Sequence, residues 1–432
     1  MTLNNKTVAN AGWLIGCKII QSLLGFVVSM LTARYLGPGN YGIINYAASL
    51  VAFVAPLMTM GLNSILVQEI VTRPEQEGKT LGTALTLSTA ASVCCMAGVV
   101  AFAYITGPDE PVTVIVCALY SLTLFAQALE LVQYWFQAKL LSKYTAVVSL
   151  VAYGVISAYK IFLLATQKSI YWFALSNALD FAMIGVALLV IYRKIGSQKL
   201  SFSWSRAKEM FAVSKYYVLS NLMITVFAQM GSILLKQLID ETATGLYTAA
   251  VSCAGLTNFV FTAVIDSARP SIFAAKKVGQ DAFEHNVKRL YSLVIYLSLA
   301  QSVAFTLLAD VIVQVIYGAE YAVTADVLRV LIWYTTFSFI GAVRGIWILA
   351  EGHQKYLWFI NMCGALCNIV LNVLLITNMG VVGAALATLA TQFFTNVLIG
   401  YMLKPLRKNN RLMLESLNPK YLLEMVRMVL KR

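Results

Sequence analysis

Charged side chains interrupt long apolar runs of this 432-residue sequence. A charged group inside a hydrocarbon-like segment is costly unless it faces water or a partner, so each is a candidate for function. Buried cations can hold an anionic group such as a phosphate, and carboxylates can exchange protons or bind cations. Five lie well inside the runs and four nearer their ends: Lys18, Glu130, Lys160, Asp180 and Arg344, then Arg34, Lys236, Asp266 and Arg329.

Polar and aromatic residues recur every three or four positions beside these charges, which places them on common helix faces. Such faces predict an aqueous interior furnished with amides, hydroxyls and aromatic rings, a lining that suits sugars. Three groups carry the pattern: Glu130 with Thr123, Gln127, Tyr134 and Gln137; Lys160 with Ser149, Tyr153 and Ser157; Arg344 with Phe337, Gly341, Trp347 and Glu351.

The first helix of each half of the chain carries a polar stripe. Shifting the sequence by 203 residues sets Lys18 against Asn221, Ser22 against Thr225 and Ser29 against Ser232. We expect the two stripes to face each other across one cavity. Close packing of small residues is the alternative explanation. Lys18 fits that alternative poorly.

Each charged candidate also has a structural alternative. Lys160 can pair with Asp180 or Glu130, and Arg34 and Lys236 lie where long side chains reach the headgroups. The charges of Lys18 and Arg344 sit deepest and are the hardest to explain in this way. The predicted substrate-binding residues are Lys18, Arg344, Lys160, Arg34, Lys236, Asn221 and Trp347, and the predicted ion-coupling residues are Glu130 and Asp180.

The elements that position these residues must be membrane-spanning helices. The chain is 59% hydrophobic and 12% charged, with a mean hydropathy of +0.76, so lipid is its solvent. The pattern predicts an all-α polytopic membrane protein with about twelve transmembrane helices. The predicted spans are 10–33, 41–62, 80–105, 112–137, 144–165, 170–192, 214–237, 244–267, 288–309, 324–349, 356–377 and 379–402.

Basic residues fix the orientation. With the N-terminus inside, 25 of the 32 Lys and Arg residues fall in the even-numbered connections and at the two termini. Connections rich in Lys and Arg stay in the cytoplasm. Both termini are therefore predicted to be cytoplasmic, and the net charge of +13 needs no nucleic-acid partner.

The spans divide into two halves of six. We predict an N-terminal half over 1–192, a cytoplasmic linker over 193–213, a C-terminal half over 214–402 and a cytoplasmic amphipathic tail over 403–432. Because six is even, both halves begin on the same side, the arrangement of a parallel repeat around a central cavity. The tail is predicted to lie on the inner membrane surface.

Signals for catalysis and for cofactors are weak. His285 and His353 fall in connections without metal-ligand spacing, and Gly78-Lys79-Thr80 lacks the first glycine and the strand of a phosphate loop. The seven cysteines fall within predicted helices, which favours free thiols over a disulfide framework. We therefore expect no enzyme activity, no metal and no cofactor.

Two strings at opposite ends of the chain resemble one family. The string Ala33-Arg34-Tyr35-Leu36-Gly37-Pro38-Gly39-Asn40-Tyr41-Gly42 resembles the signature of the Wzx-type polysaccharide flippases. These belong to the superfamily of multidrug, oligosaccharidyl-lipid and polysaccharide exporters. The second string is similar to that family's last two helices: Asn368-Ile369-Val370-Leu371-Asn372-Val373-Leu374-Leu375-Ile376, then Gly380-Val381-Val382-Gly383-Ala384-Ala385-Leu386-Ala387-Thr388.

The resemblance implies a flippase of the bacterial cytoplasmic (inner) membrane. Such a protein turns undecaprenyl-pyrophosphate-linked oligosaccharide repeat units toward the outer leaflet for O-antigen of lipopolysaccharide, capsule or exopolysaccharide. Its partners would be the lipid-linked oligosaccharide and the bilayer, with proton or sodium coupling and other polysaccharide-assembly membrane proteins left open. The alternatives are a drug or cation antiporter of the same superfamily and a membrane glycan polymerase or ligase. Lys18 and Arg344 argue against the antiporter, and the short predicted outer connections argue against the polymerase or ligase.

Overall fold

The structure, a computed structural model, describes the backbone of residues 5–430 and the side chains of residues 21–424 except position 23. The described backbone is nearly all helical and contains no strand. The predicted all-α membrane fold is therefore confirmed. The chain divides into two compact units, which we call unit 1 (Met1–Gln229) and unit 2 (Met230–Arg432).

Unit 1 contains seven complete helices and the first part of an eighth. They are α1 (Asn5–Met58), α2 (Leu66–Thr72), α3 (Glu77–Thr106), α4 (Pro111–Glu130), α5 (Gln133–Ala138), α6 (Ser142–Ala165), α7 (Ile170–Ile195) and α8 (Trp204–Leu238).

Unit 2 contains the end of α8 and ten further helices. They are α9 (Glu241–Gly255), α10 (Asn258–Val278), α11 (Gln280–Leu307), α12 (Ala309–Ile316), α13 (Val323–Leu331), α14 (Trp333–Ala350), α15 (Lys355–Phe393), α16 (Ile399–Met402), α17 (Arg407–Glu415) and α18 (Pro419–Leu430).

Within the described residues, nine helices are long and apolar enough to cross a membrane, or ten if α9 and α10 form one bent span. Two of them are broken by a glycine. Gly37 in α1 has φ 70° and ψ 170°, and Gly380 in α15 has φ 61° and ψ −136°. Side chains with a Cβ rarely adopt such angles, so glycine permits both breaks. Gly37 lies between the predicted spans 10–33 and 41–62, and Gly380 lies at the start of the predicted span 379–402. If α9 and α10 count as one span and each of the two broken helices counts as two, the total is twelve spans, a number that stays a prediction.

The connection predicted over 193–213 is shorter in the structure, because α7 ends at Ile195 and α8 begins at Trp204. Arg206 falls within the predicted linker and is buried in the structure. Its guanidinium bonds Glu69 at 2.8 Å and Glu209 at 2.7 Å. One partner, Glu209, lies one turn later on α8, and the other, Glu69, is distant in sequence.

Residues 196–203 are docked on the start of α3. The backbone N–H of Gly78 donates to Gln198 Oε1 at 3.1 Å, and the N–H of Ser203 donates to Thr83 Oγ1 at 3.0 Å. A Cβ on Gly78 would lie 2.4 Å from the Lys199 carbonyl oxygen, so only glycine allows this approach. The connection is therefore a fixed part of unit 1.

The end of the chain packs on α11 within unit 2. Lys288 Nζ contacts Glu415 Oε2 at 2.5 Å, and Arg289 Nη2 contacts Glu424 Oε2 at 2.8 Å. Tyr296 donates its hydroxyl to the Leu417 carbonyl at 2.6 Å. The apolar face predicted for the tail falls mainly on residues 425–429, whose side chains lie outside the described residues. Its place on the membrane surface stays a prediction.

Candidate functional site

Unit 1 contains a polar cavity of about 470 Å³. Its walls come from α1, the end of α4, α5, the start of α6 and the middle of α7. Nine of the twelve lining residues carry an amide, hydroxyl or carboxyl group and three are apolar: Gln21, Glu130, Gln133, Gln137, Ser142, Thr145, Ser149, Tyr153 and Asp180, then Ala146, Phe181 and Ile184.

The carboxylate of Glu130 is positioned by the end of α4 and by a close contact with a glycine of α7. Glu130 is the last residue of α4, and α5 begins three residues later at Gln133. Gly185 on α7 packs directly against this end, because a Cβ there would lie 2.8 Å from Leu129 Cβ and 3.1 Å from the Glu130 nitrogen. The close approach of α7 places Asp180 on the same cavity as Glu130.

A second glycine makes room for the tyrosine of the cavity. A Cβ on Gly25 of α1 would lie 2.4 Å from the Tyr153 hydroxyl oxygen. The phenol of Tyr153 therefore occupies space that any larger residue at position 25 would take. The shape of this wall depends on a glycine and a tyrosine that are far apart in sequence.

The described lining residues include two acidic side chains and no Lys, Arg or His. Among the described residues, Asp180 Oδ1 and Thr145 Oγ1 are inaccessible to solvent and have no hydrogen-bond partner. The nearby cation Lys160 donates to Asn177 Oδ1 at 3.2 Å. Chemically, the cavity can accept hydrogen bonds from a ligand, donate to it through amides and hydroxyls, and attract positive charge.

Arg344 lies in unit 2 in different surroundings. Its side chain on α14 is only 4% exposed. Nη1 donates to the Thr395 carbonyl at 2.5 Å and Nη2 to Asn396 Oδ1 at 3.0 Å. Both acceptors belong to a π-helical turn, Phe394–Leu398, which follows α15. Gly341, one turn earlier on α14, leaves the space that Asn396 fills, because a Cβ there would lie 2.3 Å from Asn396 Oδ1.

Trp347 belongs to the hydrophobic core around Arg344 and is 1% exposed. Its ring lies 5.7 Å from that of His353, centroid to centroid. The indole Nε1 has no hydrogen-bond partner among the described residues. In this state Arg344 and Trp347 are packed side chains.

The other predicted site residues lie apart from these two centres. Lys236 is 7% exposed and pairs with Glu241 Oε2 at 3.0 Å, Arg34 is exposed, and Asn221 is half-buried on α8. The side chain of Lys18 lies outside the described residues. Of the predicted site residues, the structure brings Glu130 and Asp180 together in one cavity.

Sequence spacing identified part of this cavity. Gln137, Ser149 and Tyr153 were expected beside Glu130 or Lys160, and all three line it. Gln21, Gln133 and Thr145 were missed. Spacing held a signal for two of them, because Gln133 is three residues after Glu130 and Thr145 is four before Ser149. Gln21 comes from α1, and nothing local in the sequence links that helix to α5.

Comparisons with known proteins give a consistent result. A family model described as "Polysaccharide biosynthesis protein" matches residues 7–276. The capsular polysaccharide biosynthesis protein CapF of Staphylococcus aureus is 21% identical over 408 residues, which cover 92% of this chain and 99% of CapF. The probable low-salt glycan biosynthesis flippase Agl15 of Haloferax volcanii is 23% identical over 207 residues, 48% of this chain and 44% of Agl15.

Solved transporter structures share the fold. An inward-facing multidrug resistance MATE family transporter of the MOP superfamily has a TM-score of 0.70 at 12% identity, covering 91% of this chain and 96% of the transporter. The lipid II flippase MurJ, in an inward closed conformation, has a TM-score of 0.68 at 14% identity, covering 95% of this chain and 92% of MurJ. At these identities the likeness establishes the fold alone.

Proposed function

The chain belongs to the family of polysaccharide biosynthesis proteins, and from this premise we propose that it is a flippase for lipid-linked oligosaccharides. The resemblance to polysaccharide flippases is confirmed by this match and by the relatives CapF and Agl15. The proposed substrate is an undecaprenyl-pyrophosphate-linked repeat unit. The proposed location is the bacterial cytoplasmic membrane, with both termini in the cytoplasm and transport toward the outer leaflet.

One observation carries the proposal. A chain that aligns over nearly its whole length with a capsular polysaccharide protein contains a cavity of about 470 Å³ lined by amides, hydroxyls and carboxylates within a membrane-spanning unit. Polar groups in such a unit are costly and mark the pathway of a polar substrate. A glycan needs this lining in order to leave water.

The pyrophosphate requires cations. We propose Lys18 and Arg344 as its main contacts during alternating access, with Lys160, Arg34, Lys236, Asn221 and Trp347 as further contacts. A guanidinium offers two parallel donors to phosphate oxygens. In the described state those donors of Arg344 bond Thr395 and Asn396, so binding a pyrophosphate requires exchange of these contacts for phosphate oxygens.

Glu130 and Asp180 are the proposed coupling residues for a proton or sodium gradient. Both are lining residues of the cavity of unit 1. Replacing them with Gln and Asn removes the charge and keeps the shape. Gradient-dependent flipping should then be lost, and flipping that stays dependent on the gradient would make the two carboxylates structural.

The function is tested with purified protein in liposomes that contain a lipid-linked oligosaccharide. Outward movement is read by access of an added lectin or glycosidase to the sugar, and surface polysaccharide is measured in cells that lack the native gene. Protein-dependent movement of the intact lipid supports the proposal. New glycosidic bonds without movement would instead identify a polymerase or ligase.

A second candidate function is export of cationic compounds. The acidic cavity of unit 1 favours it, and the fold is shared with multidrug transporters. Efflux of a fluorescent cation such as ethidium from cells or liposomes tests this candidate. Efflux that depends on Glu130 and Asp180, together with immobile lipid-linked sugar, would replace the flippase proposal.

A further inference from the structure

We propose that the cavity of unit 1 binds one sugar of the glycan head and selects a residue without carboxylate or phosphate, either neutral or amine-bearing. This inference rests on the proposed flippase function and deepens it by naming the class of sugar. It follows from the lining, the charge and the unpartnered atoms of the cavity.

The lining matches a polyol. A sugar hydroxyl both donates and accepts a hydrogen bond, and side-chain amides and hydroxyls do the same. The volume of about 470 Å³ lies within the range of small-molecule sites. Seven residues supply such groups: Gln21, Gln133, Gln137, Ser142, Thr145, Ser149 and Tyr153.

The cavity also has an apolar wall formed by Phe181, Ala146 and Ile184. A pyranose ring exposes C–H groups on its faces and hydroxyls around its edge, so it needs an apolar surface beside polar groups. A bare inorganic cation would use the carboxylates and leave this wall and the amides unused. Within the described residues, no cluster of three or more His, Cys, Asp or Glu side chains could hold a metal ion.

The charge of the lining sets the selectivity. Glu130 and Asp180 are acidic, and none of the other described lining residues is a cation. A uronate or a sugar phosphate would bring a negative charge beside these two acidic side chains, in a site of low dielectric where repulsion between like charges is strong. A neutral sugar avoids this repulsion, and the ammonium group of an amino sugar is attracted to the acidic side chains.

Two atoms indicate what is bound. Asp180 Oδ1 and Thr145 Oγ1 belong to residues of the lining, are inaccessible to solvent and have no hydrogen-bond partner among the described residues. Buried polar atoms in proteins almost always have partners. Once the side chains that cover Asp180 Oδ1 shift on binding, a hydroxyl or ammonium group of a ligand would supply the donor that this oxygen needs. Thr145 can donate to a ring or hydroxyl oxygen.

The cavity lies at the end of unit 1 that carries residues 139–141, between α5 and α6. Lys139 and Lys143 place this connection on the cytoplasmic side by the positive-inside rule. Under the proposed function, the glycan head approaches from that side. The cavity is therefore placed to select the sugar before translocation.

The test uses three probes that share one ring and differ in one group: methyl glucoside, methyl glucosaminide and methyl glucuronide. Purified full-length protein in lipid nanodiscs is mixed with each, and saturation-transfer NMR, which detects weak binding, reports the ligand. We expect signals from the glucoside and the glucosaminide and at least about tenfold weaker binding of the glucuronide.

Three variants complete the design. Ser149→Phe fills the cavity and should abolish binding of all three probes, whereas Val151→Ala, on the exposed face of the same helix, should leave binding unchanged. The double variant E130Q/D180N keeps hydrogen-bonding groups and removes the charge. It should still bind the glucoside and should lose most of the discrimination against the glucuronide.

Preference for the glucuronide, binding that survives Ser149→Phe, or absence of binding by all three probes would overturn the sugar site. Sodium binding at Glu130 and Asp180 without any glycoside signal would assign the cavity to cations alone. The liposome assay is independent of these results. Lipid-linked sugar that moves while no glycoside binds overturns only this inference, and glycosides that bind while no lipid-linked sugar moves overturn only the flippase.

Discussion

Buried charged side chains have different surroundings in unit 1 and in unit 2. In unit 1, Glu130 and Asp180 line a cavity in which other polar groups surround them. In unit 2, Arg344 is enclosed by core side chains and uses two of its donors on the turn Phe394–Leu398. Both regions appear in the sequence as a charged residue inside an apolar helix. In the described state, the packing of neighbouring helices decides whether such a residue opens onto a cavity or is enclosed by other side chains.

The largest expected effect comes from Arg344→Ala. It removes the donors to Thr395 and Asn396 and a large packed side chain, so we expect unfolding free energy to fall by about 2–4 kcal/mol. Arg344→Lys should lie between this variant and the parent, because an ammonium cannot serve both acceptors with the same geometry. Thermal unfolding of the detergent-solubilised protein measures the change.

In unit 1, Glu130→Gln removes the charge and keeps the size of the side chain. The amide fits a cavity that already contains three glutamines, so we expect a stability change below about 1 kcal/mol. Equal losses of unfolding free energy for Arg344→Ala and Glu130→Gln would contradict the assignment of Arg344 as a packed side chain and Glu130 as a cavity residue.

The second prediction concerns the packing around Arg344 in unit 2. Gly341→Ala would place a Cβ 2.3 Å from Asn396 Oδ1, so we expect a loss of about 1–3 kcal/mol as the π-helical turn is displaced. Gly345→Ala, one turn later on the same helix, meets nothing within 4 Å and should be neutral or slightly stabilising. Similar melting temperatures for the two variants would show that Asn396 can move freely.

The third prediction concerns the cavity of unit 1. Gly25→Ala should push the Tyr153 hydroxyl, which lies 2.4 Å from the new Cβ, into the cavity. Because the hydroxyl is the far end of a side chain that can move as a whole, we expect a stability loss of about 1 kcal/mol or less and a several-fold fall in surface polysaccharide per molecule of protein. Gly154→Ala on α6, with nothing within 4 Å, is the control. Normal export by Gly25→Ala would show that Tyr153 does not shape the passage.

The smallest effect is expected at the end of the chain. The hydrogen bond from Lys288 holds the pKa of Glu415 below its ordinary value of 4.5. The contact therefore adds stability above that value and loses it as pH falls through the lower pKa of the folded state. Glu415 is about one-third exposed, so the contribution should stay below about 1 kcal/mol.

Glu415→Gln should accordingly lower stability slightly near neutral pH and leave it unchanged in acid, where the parent carboxylate is protonated. Melting curves of the two proteins from about pH 7 to about pH 3 measure this difference. A gap that widens in acid would contradict the assignment of the ion pair.

The site was only partly predictable. Gln137, Ser149 and Tyr153 were found because helical spacing relates residues on one helix face. Thr145 carried the same signal one turn earlier and was missed. Gln21 and the glycine contacts that set the cavity walls join helices distant in sequence, and periodicity within one helix holds no information about them.

The sequence by itself determined the solvent, the helical fold and the family. Length and composition required lipid, and long apolar runs required helices. Only the tertiary structure decided which polar residues share a space. Arg206 and Arg344 became packed side chains with fixed partners, whereas Glu130 and Asp180 became the walls of a cavity. The physical reason is that the stability of a buried charge depends on atoms that neighbouring helices bring within hydrogen-bond distance, and those atoms are set by packing between helices.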